Sequence, residues 1–149
     1  MDKTESTKII IVRPETDAEF QACLEIRHMV FVDEQGVPEE DEFDGYDATA
    51  HHFLALCGTL PCGTARWRRT DNGKIKLERF AVLKTHRSMG VGKKLVLAVL
   101  ASIPSTIPAY LHAQVDVIGF YEKLGFTAEG EIFDECGILH RKMVRGGVG

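Results

Sequence analysis

The sequence lacks any apolar run long enough to cross a membrane, and no basic leader followed by an apolar stretch stands at its start. Its four cysteines are scattered without Cys-x-x-Cys spacing, so neither a zinc site nor a disulfide framework is indicated. Basic residues are not in excess, and the net charge of −4 argues against a general nucleic-acid binder. We therefore expect a soluble cytoplasmic protein with no metal, nucleic-acid or membrane partner.

The chain has 149 residues, of which 44% are hydrophobic. This is enough for one well-packed domain and too little for two. We expect a single domain over residues 1–149, with loose tails at 1–7 and 146–149. A homodimer would be an ordinary assembly for such a protein.

Hydrophobic periodicity and turn residues predict seven strands and three helices. Helices are expected at residues 17–32, where Thr16 and Glu19 form a capping box, and at 94–103 and 115–124. The acidic segment 33–47 contains Gly36 and Pro38 and is predicted to be a loop with short helical turns at most. The predicted strands are residues 8–12, 52–56, 63–69, 74–82, 109–113, 126–133 and 138–144. This order predicts a mixed α/β (α+β) fold with antiparallel hairpins and one parallel strand pair.

A glycine turn lies between the predicted strand 74–82 and the helix that follows it. Gly90 and Gly92 allow a tight turn whose N–H groups merge with the first turn of a helix, and this arrangement favours an anion. Arg87 and Lys93 add positive charge at its rim. Taken alone, the turn is equally well explained as a phosphate site or as a tight connection.

Two other glycine loops are excluded by spacing. A dinucleotide fingerprint needs a small residue three places after the second glycine, where this chain has Leu95. A Walker loop needs four residues between its glycines and then Lys-Ser or Lys-Thr, whereas here Lys93 is followed by Lys94. The ligand is therefore expected to be neither NAD nor a Walker-bound nucleotide.

Two separate motifs, Arg87 to Gly92 and the segment Gly-Phe-Tyr-Glu-Lys-Leu-Gly-Phe at 119–126, resemble the GNAT superfamily of acyl-CoA-dependent N-acetyltransferases. Residues 27–38, 77–82 and 137–140 further resemble a small branch of largely uncharacterised bacterial acetyltransferases. The resemblance implies a twisted, mostly antiparallel sheet of six to seven strands, flanked by helices and splayed open at the acyl-CoA site. It names a reaction but no acceptor.

The resemblance also implies which residues bind coenzyme A. The backbone of Phe80, Ala81 and Val82 would pair with the pantetheine arm, and amides of the glycine turn would bind the pyrophosphate. Where many family members have an asparagine for the pantetheine, this chain has Gln114, whose amide stands on a longer stem. The predicted coenzyme residues are Phe80, Ala81, Val82, Arg87, Ser88, Met89, Gly90, Val91, Gly92, Lys93 and Gln114.

Amide formation from a thioester needs a neutral amine and a proton for the leaving thiolate. Tyr121 aligns with the tyrosine that protonates the coenzyme sulfur in many relatives, although a tyrosine packed in a core with its hydroxyl bonded is common. Alternation along the strand puts Glu78 on one face with Phe80 and Val82, where it would serve as the base. The alternative for Glu78 is a structural ion pair with Lys76, Arg79 or Arg66.

The acceptor side offers further candidates. His112 and His140 stand on predicted strands and would line the acceptor pocket, or be structural. The acidic residues between 39 and 47 would attract a cationic amine, or form a solvated loop. Arg27 is a further candidate on the acceptor side and could pair with one of these acidic residues.

The function predicted from the sequence is transfer of an acetyl group from acetyl-CoA to a primary amine, in a ternary complex and without a metal. The alternative is a non-catalytic acyl-CoA-binding or sensor module, against which the presence of Tyr121 and Glu78 argues.

Overall fold

A seven-stranded sheet forms the centre of the protein in a computed structural model, which describes residues 8–145. The predicted tails 1–7 and 146–149 lie outside these residues. The strands are β1 (Ile9–Val12), β2 (His51–Cys57), β3 (Leu60–Arg69), β4 (Ile75–Val82), β5 (Ala109–Gln114), β6 (Phe126–Glu135) and β7 (Ile138–Arg145). Their order across the sheet is β1-β2-β3-β4-β5-β7-β6, and every neighbouring pair is antiparallel except β4 and β5. The predicted mixed, mostly antiparallel sheet is confirmed.

The turns follow the local sequence. Asn72-Gly73 joins β3 to β4 as predicted, and Gly73 has a φ of +79°, which a residue with a Cβ rarely adopts. The capping box is also present, because Thr16 Oγ1 accepts a hydrogen bond from the Glu19 amide at 3.1 Å. It begins the first helix.

Within residues 8–145, four α-helices flank the sheet: α1 (Asp17–Arg27), α2 (Glu39–Glu42), α3 (Val91–Ser102) and α4 (Ile118–Lys123). The first helix was predicted at residues 17–32, and the prediction was wrong about its last turns. The α-helix ends at Arg27, and the chain continues as a π-helix, His28–Glu34, which has a wider turn. The helix after the glycine turn begins three residues earlier than predicted, at Val91 instead of 94. The last helix is shorter than predicted because its first turn, Val115–Val117, is 3₁₀.

Each face of the sheet buries its own apolar cluster. One cluster lies under α3 and includes Leu95, Val96 and Val99, all fully buried. The other lies under α1 and includes Cys23 and Ile26. Because helices cover both faces, the sheet is held rigidly enough to position groups at its edges.

The sheet opens between β4 and β5. These parallel strands pair only at their beginnings, Ile75 with Ala109 and Lys76 with Tyr110. Beyond those residues the two strands diverge, which confirms the predicted splay. From residue 77 to residue 82, one edge of β4 pairs with β3 and no described strand pairs with the other edge.

A β-bulge at Arg79 overturns the predicted alternation along β4. Arg79 has a φ of +59°, and the register with β3 shifts between the pairs Arg66–Glu78 and Thr64–Ala81. The extra residue reverses the faces that follow it, so Phe80 packs with the α3-side cluster and Ala81 with the α1-side cluster. Glu78 therefore does not share a face with Phe80 and Val82, as alternation had predicted.

Candidate active site

A cleft of about 340 Å³ lies where β4 and β5 diverge. The free edge of β4 forms one wall, the end of β5 forms the other, and residues of the π-helix and α4 complete it. Of the predicted site residues it contains Glu78, Phe80, Ala81, Val82, Arg87, Gly92, His112, Gln114, Tyr121 and His140. The structure thus brings together groups from β4, the glycine turn, β5, α4 and β7.

The glycine turn lies at one end of this cleft. Gly90 has a φ of +78° and directly precedes α3, whose first N–H groups lack partners within the helix. Arg87 and Gly92 line the cleft, whereas the side chain of Val91 is fully buried in the core. Val91, predicted as a coenzyme contact, can therefore contribute only its backbone. The remaining predicted turn residues, Ser88, Met89, Gly90 and Lys93, do not line the cleft.

Two contacts from the end of the π-helix reach the cleft walls. Arg87 Nη2 donates to Glu34 Oε1 at 2.6 Å, while Arg87 Nε donates to the Val82 carbonyl at 3.0 Å. The hydrogen bond from Arg87 holds the pKa of Glu34 below its usual range. On the opposite wall, Gln114 Nε2 donates to Gln35 Oε1 at 2.9 Å. Sequence reasoning missed Glu34 and Gln35, because these partners lie 53 and 79 residues away along the chain.

Tyr121 lies in the cleft wall with its ring in the core. Its ring contacts Phe80, Phe120 and Phe126 edge-on, with centroids 6.2, 5.0 and 5.8 Å away. The side chain is buried, and no described residue forms a hydrogen bond with its hydroxyl. Burial raises the pKa of Tyr121, so the hydroxyl keeps its proton. The alternative of a hydroxyl bonded within the core is not what the structure shows.

Glu78 is held by ion pairs. Its Oε2 accepts from Arg66 Nε at 2.7 Å, and its Oε1 lies 3.2 Å from Arg68 Nε and 3.7 Å from Lys76 Nζ. The structural ion pair that the sequence left open is therefore present. Glu78 still lines the cleft, but its carboxylate is oriented by three cations.

Three carboxylates of the acidic segment, those of Glu42, Asp44 and Asp47, pair with arginines. Arg27 donates to Glu42 at 2.6 Å and to Asp47 at 2.7 Å, and only 1% of its side chain is exposed. Arg79 contacts Glu42 and Asp44 from the bulge. The expected pairing of Arg27 with this segment is confirmed. Its guanidinium is enclosed by these carboxylates and lines no part of the cleft, so the structure places Arg27 apart from the other acceptor-side candidates.

Arg66 completes this buried charge network. It is fully buried and donates to Asp44 and to Asp47, the latter at 2.7 Å. Burial alone would raise the pKa of Asp47, but the hydrogen bonds from Arg27 and Arg66 lower it. The paired carboxylates of Glu42, Asp44 and Asp47 therefore stabilise the fold. They are not free to attract a cationic amine, as the sequence had suggested for residues 39–47.

Two histidines and a glutamate meet at the other end of the cleft. His112 Nδ1 lies 3.2 Å from Glu135 Oε1, and His140 Nε2 lies 3.6 Å from Glu135 Oε2. The hydrogen bond with His112 lowers the pKa of Glu135. Sequence reasoning found both histidines and missed Glu135, because the bulged register between β6 and β7 cannot be read from alternation.

Neither a cluster of metal ligands nor a membrane-spanning helix occurs in residues 8–145. No group of three or more metal-ligating side chains is present in this part of the chain. Within the same residues, every helix is too short or too polar to cross a membrane.

Comparison with known proteins adds a family. The sequence profile described as the acetyltransferase (GNAT) domain matches residues 27–145. In Bacillus subtilis strain 168, the uncharacterized N-acetyltransferase YjcF is 39% identical over 123 residues, covering 80% of this chain and 87% of YjcF.

Solved structures agree with this match. The crystal structure of Escherichia coli ElaA superposes with a TM-score of 0.82 at 28% identity, covering 93% of this chain and 99% of ElaA. The crystal structure of an acyl-CoA N-acyltransferase from Pseudomonas aeruginosa gives the same TM-score of 0.82, the same identity of 28%, and coverage of 93% and 99%.

Proposed function

This chain belongs to the GNAT acetyltransferase family, and on that basis we propose that it transfers an acetyl group from acetyl-CoA to a primary amine. The amine attacks the thioester directly while both substrates are bound. The observation that carries this proposal is the free edge of β4 in a cleft that Arg87, Gly92 and Tyr121 also line.

The cleft suits an extended thioester. Backbone groups of Phe80 to Val82 that do not pair with β3 face the gap between the strands, where a pantetheine arm can pair with them as a further strand would. The first amides of α3 and the Arg87 guanidinium suit a pyrophosphate at the end of that arm. Arg87 would then exchange the Glu34 carboxylate for a phosphate.

Tyr121 supplies a proton to the leaving sulfur in this proposal. Burial keeps the hydroxyl protonated, and no described residue competes for it. The hydroxyl first donates a hydrogen bond to the developing thiolate, and its proton passes to the sulfur as the carbon–sulfur bond breaks. Glu78, fixed by its cations, orients the acceptor at the other side of the reacting carbonyl.

Thiol release tests this function. The protein is incubated with acetyl-CoA and a panel of amines that contains an amino sugar, a polyamine, a small aromatic amine and a lysine peptide, while free thiol and acetylated amine are followed. Thiol release that depends on an amine is expected. Tight coenzyme binding without turnover of any amine would instead favour the non-catalytic acyl-CoA-binding module.

A further inference from the structure

His140, one of the two histidines beside Glu135, is held in a defined tautomer. His140 Nδ1 lies 2.7 Å from the carbonyl oxygen of Ile138. A carbonyl oxygen can only accept, so Nδ1 must carry the hydrogen. In the neutral ring Nε2 therefore has a free lone pair and can accept a proton, as a general base must.

Nε2 faces a carboxylate that cannot give it a proton. Glu135 Oε2 is 3.6 Å away, and the neighbouring His112 bond keeps Glu135 ionised by lowering its pKa. An ionised carboxylate has no hydrogen to donate, so Nε2 is left able to take a proton from another molecule. Once Nε2 is protonated, the negative charge of the Glu135 carboxylate stabilises the imidazolium.

The position of this pair fits the acceptor amine. His140 and Glu135 line both the coenzyme cleft and a second cavity of about 290 Å³ that adjoins it. This second cavity opens beside the acidic segment and shares Phe31 and Gln35 with the cleft. A group at the boundary of the two cavities can reach an amine that enters from one side and a thioester that lies on the other.

Glu78 is less suited to the same task. Its carboxylate already accepts contacts from Arg66, Arg68 and Lys76, whereas His140 Nε2 has no donor among the described residues. His112 on β5 lies beside Glu135. The other titratable or charged groups that line the second cavity with the pair are Asp41, Glu42, Asp44, Arg68, Lys76, Glu78, Arg79 and Cys136.

We propose that His140 is the general base of the reaction, with Ile138 and Glu135 as the groups that fix its tautomer and receive its positive charge. This inference rests on the proposed acetyl transfer. A bond forms between the amine nitrogen and the acetyl carbon, the carbon–sulfur bond breaks, and the amine proton passes to Nε2. The sulfur receives a proton from Tyr121, which regains one from solvent as His140 loses its own.

The substitution His140→Asn removes the proposed base and keeps the local hydrogen bond to the backbone. The asparagine amide nitrogen can take the place of Nδ1 and keep the bond to Ile138, but nothing replaces Nε2. With an amine that the wild type acetylates, we expect kcat to fall about 100-fold at pH 7, with coenzyme affinity unchanged. The loss should shrink near pH 10, where the amine is already neutral without a base. His51→Asn, on β2 and outside both cavities, serves as the control.

Two results separate this inference from the function on which it rests. Wild-type turnover with full activity in His140→Asn, or a loss that is equal at every pH, would overturn the role of His140 alone. Absence of turnover in the wild type would overturn the proposed function and this role with it. Nitrogen-15 NMR gives an independent check, since a neutral His140 ring protonated at Nε2 would also contradict the proposal.

Discussion

At the scale of single residues, burial separates the groups that can react from those that support the fold. Arg27 and Arg66 are enclosed by carboxylates, while Arg87 is 41% exposed at the cleft and holds a partner that a ligand can replace. Tyr121 combines a buried ring with an unbonded hydroxyl. Residue type alone does not distinguish these cases.

The Tyr121 hydroxyl can be tested by itself. Tyr121→Phe keeps the ring contacts with Phe80, Phe120 and Phe126 and removes only the donor. We expect kcat to fall on the order of 100-fold, because the hydroxyl assists a thiolate that already leaves readily. Thermal unfolding and acetyl-CoA affinity should stay close to the wild type, and an unchanged kcat would remove Tyr121 from the mechanism.

At the scale of elements, the contact between α3 and β3 positions the glycine turn. Gly63 on β3 lies directly under the start of α3, where an added Cβ would stand 2.9 Å from Val91 Cγ1, 3.1 Å from Leu95 Cδ1 and 3.2 Å from the Ala81 carbonyl. Only glycine lets the helix approach the sheet this closely. The first amides of α3 therefore depend on a residue that is remote in sequence.

Gly63→Ala should test this dependence. We expect the substitution to lower the free energy of unfolding by about 1–3 kcal/mol through overpacking, and to weaken acetyl-CoA binding as α3 shifts. Calorimetric titration and urea unfolding measure the two effects. Gly119→Ala, in α4 with no atom near its added Cβ, is the matched control and should not lower stability. Equal behaviour of the two variants would show that the close approach has no functional part.

The elements were more predictable from the sequence than their contacts. Strand positions, the Asn72-Gly73 hairpin and the capping box at Thr16 all follow from short-range patterns and are confirmed. The bulge at Arg79 was not predictable, because no glycine or asparagine marks its left-handed backbone. Pairs such as Arg66 with Asp47 join residues 19 apart in sequence, and only the folded register brings them together.

At the scale of the whole molecule, the buried charge network ties stability to pH. The pKa of Asp44 and that of Asp47 are lowered, since arginine hydrogen bonds and charges outweigh burial. The unfolded chain therefore takes up protons before the folded protein does as the pH falls. The stabilisation by Asp44 and Asp47 is complete above the usual aspartate pKa of 3.8. It is lost as the pH falls through and below that pKa.

Acid unfolding should show this loss. We expect the urea midpoint to decline slowly below about pH 6.5, because burial lowers the pKa of His52, and more steeply below about pH 4. Asp47→Asn should be less stable than the wild type at pH 7. Its urea midpoint should also fall less steeply with decreasing pH below about pH 4, since one of the titrating carboxylates is gone. A wild-type midpoint that is constant from pH 7 to pH 3 would contradict the role of the network.

The proposed function requires the gap between β4 and β5 to hold the acetyl donor. A crystal structure with coenzyme A bound measures this most directly. We expect the pantetheine arm to lie against the free edge of Phe80 to Val82, the pyrophosphate on the amides of residues 87–93, and the sulfur beside Tyr121. Coenzyme A bound elsewhere, for example in the cavity at the opposite end of the sheet near Lys74 and Arg145, would contradict the account.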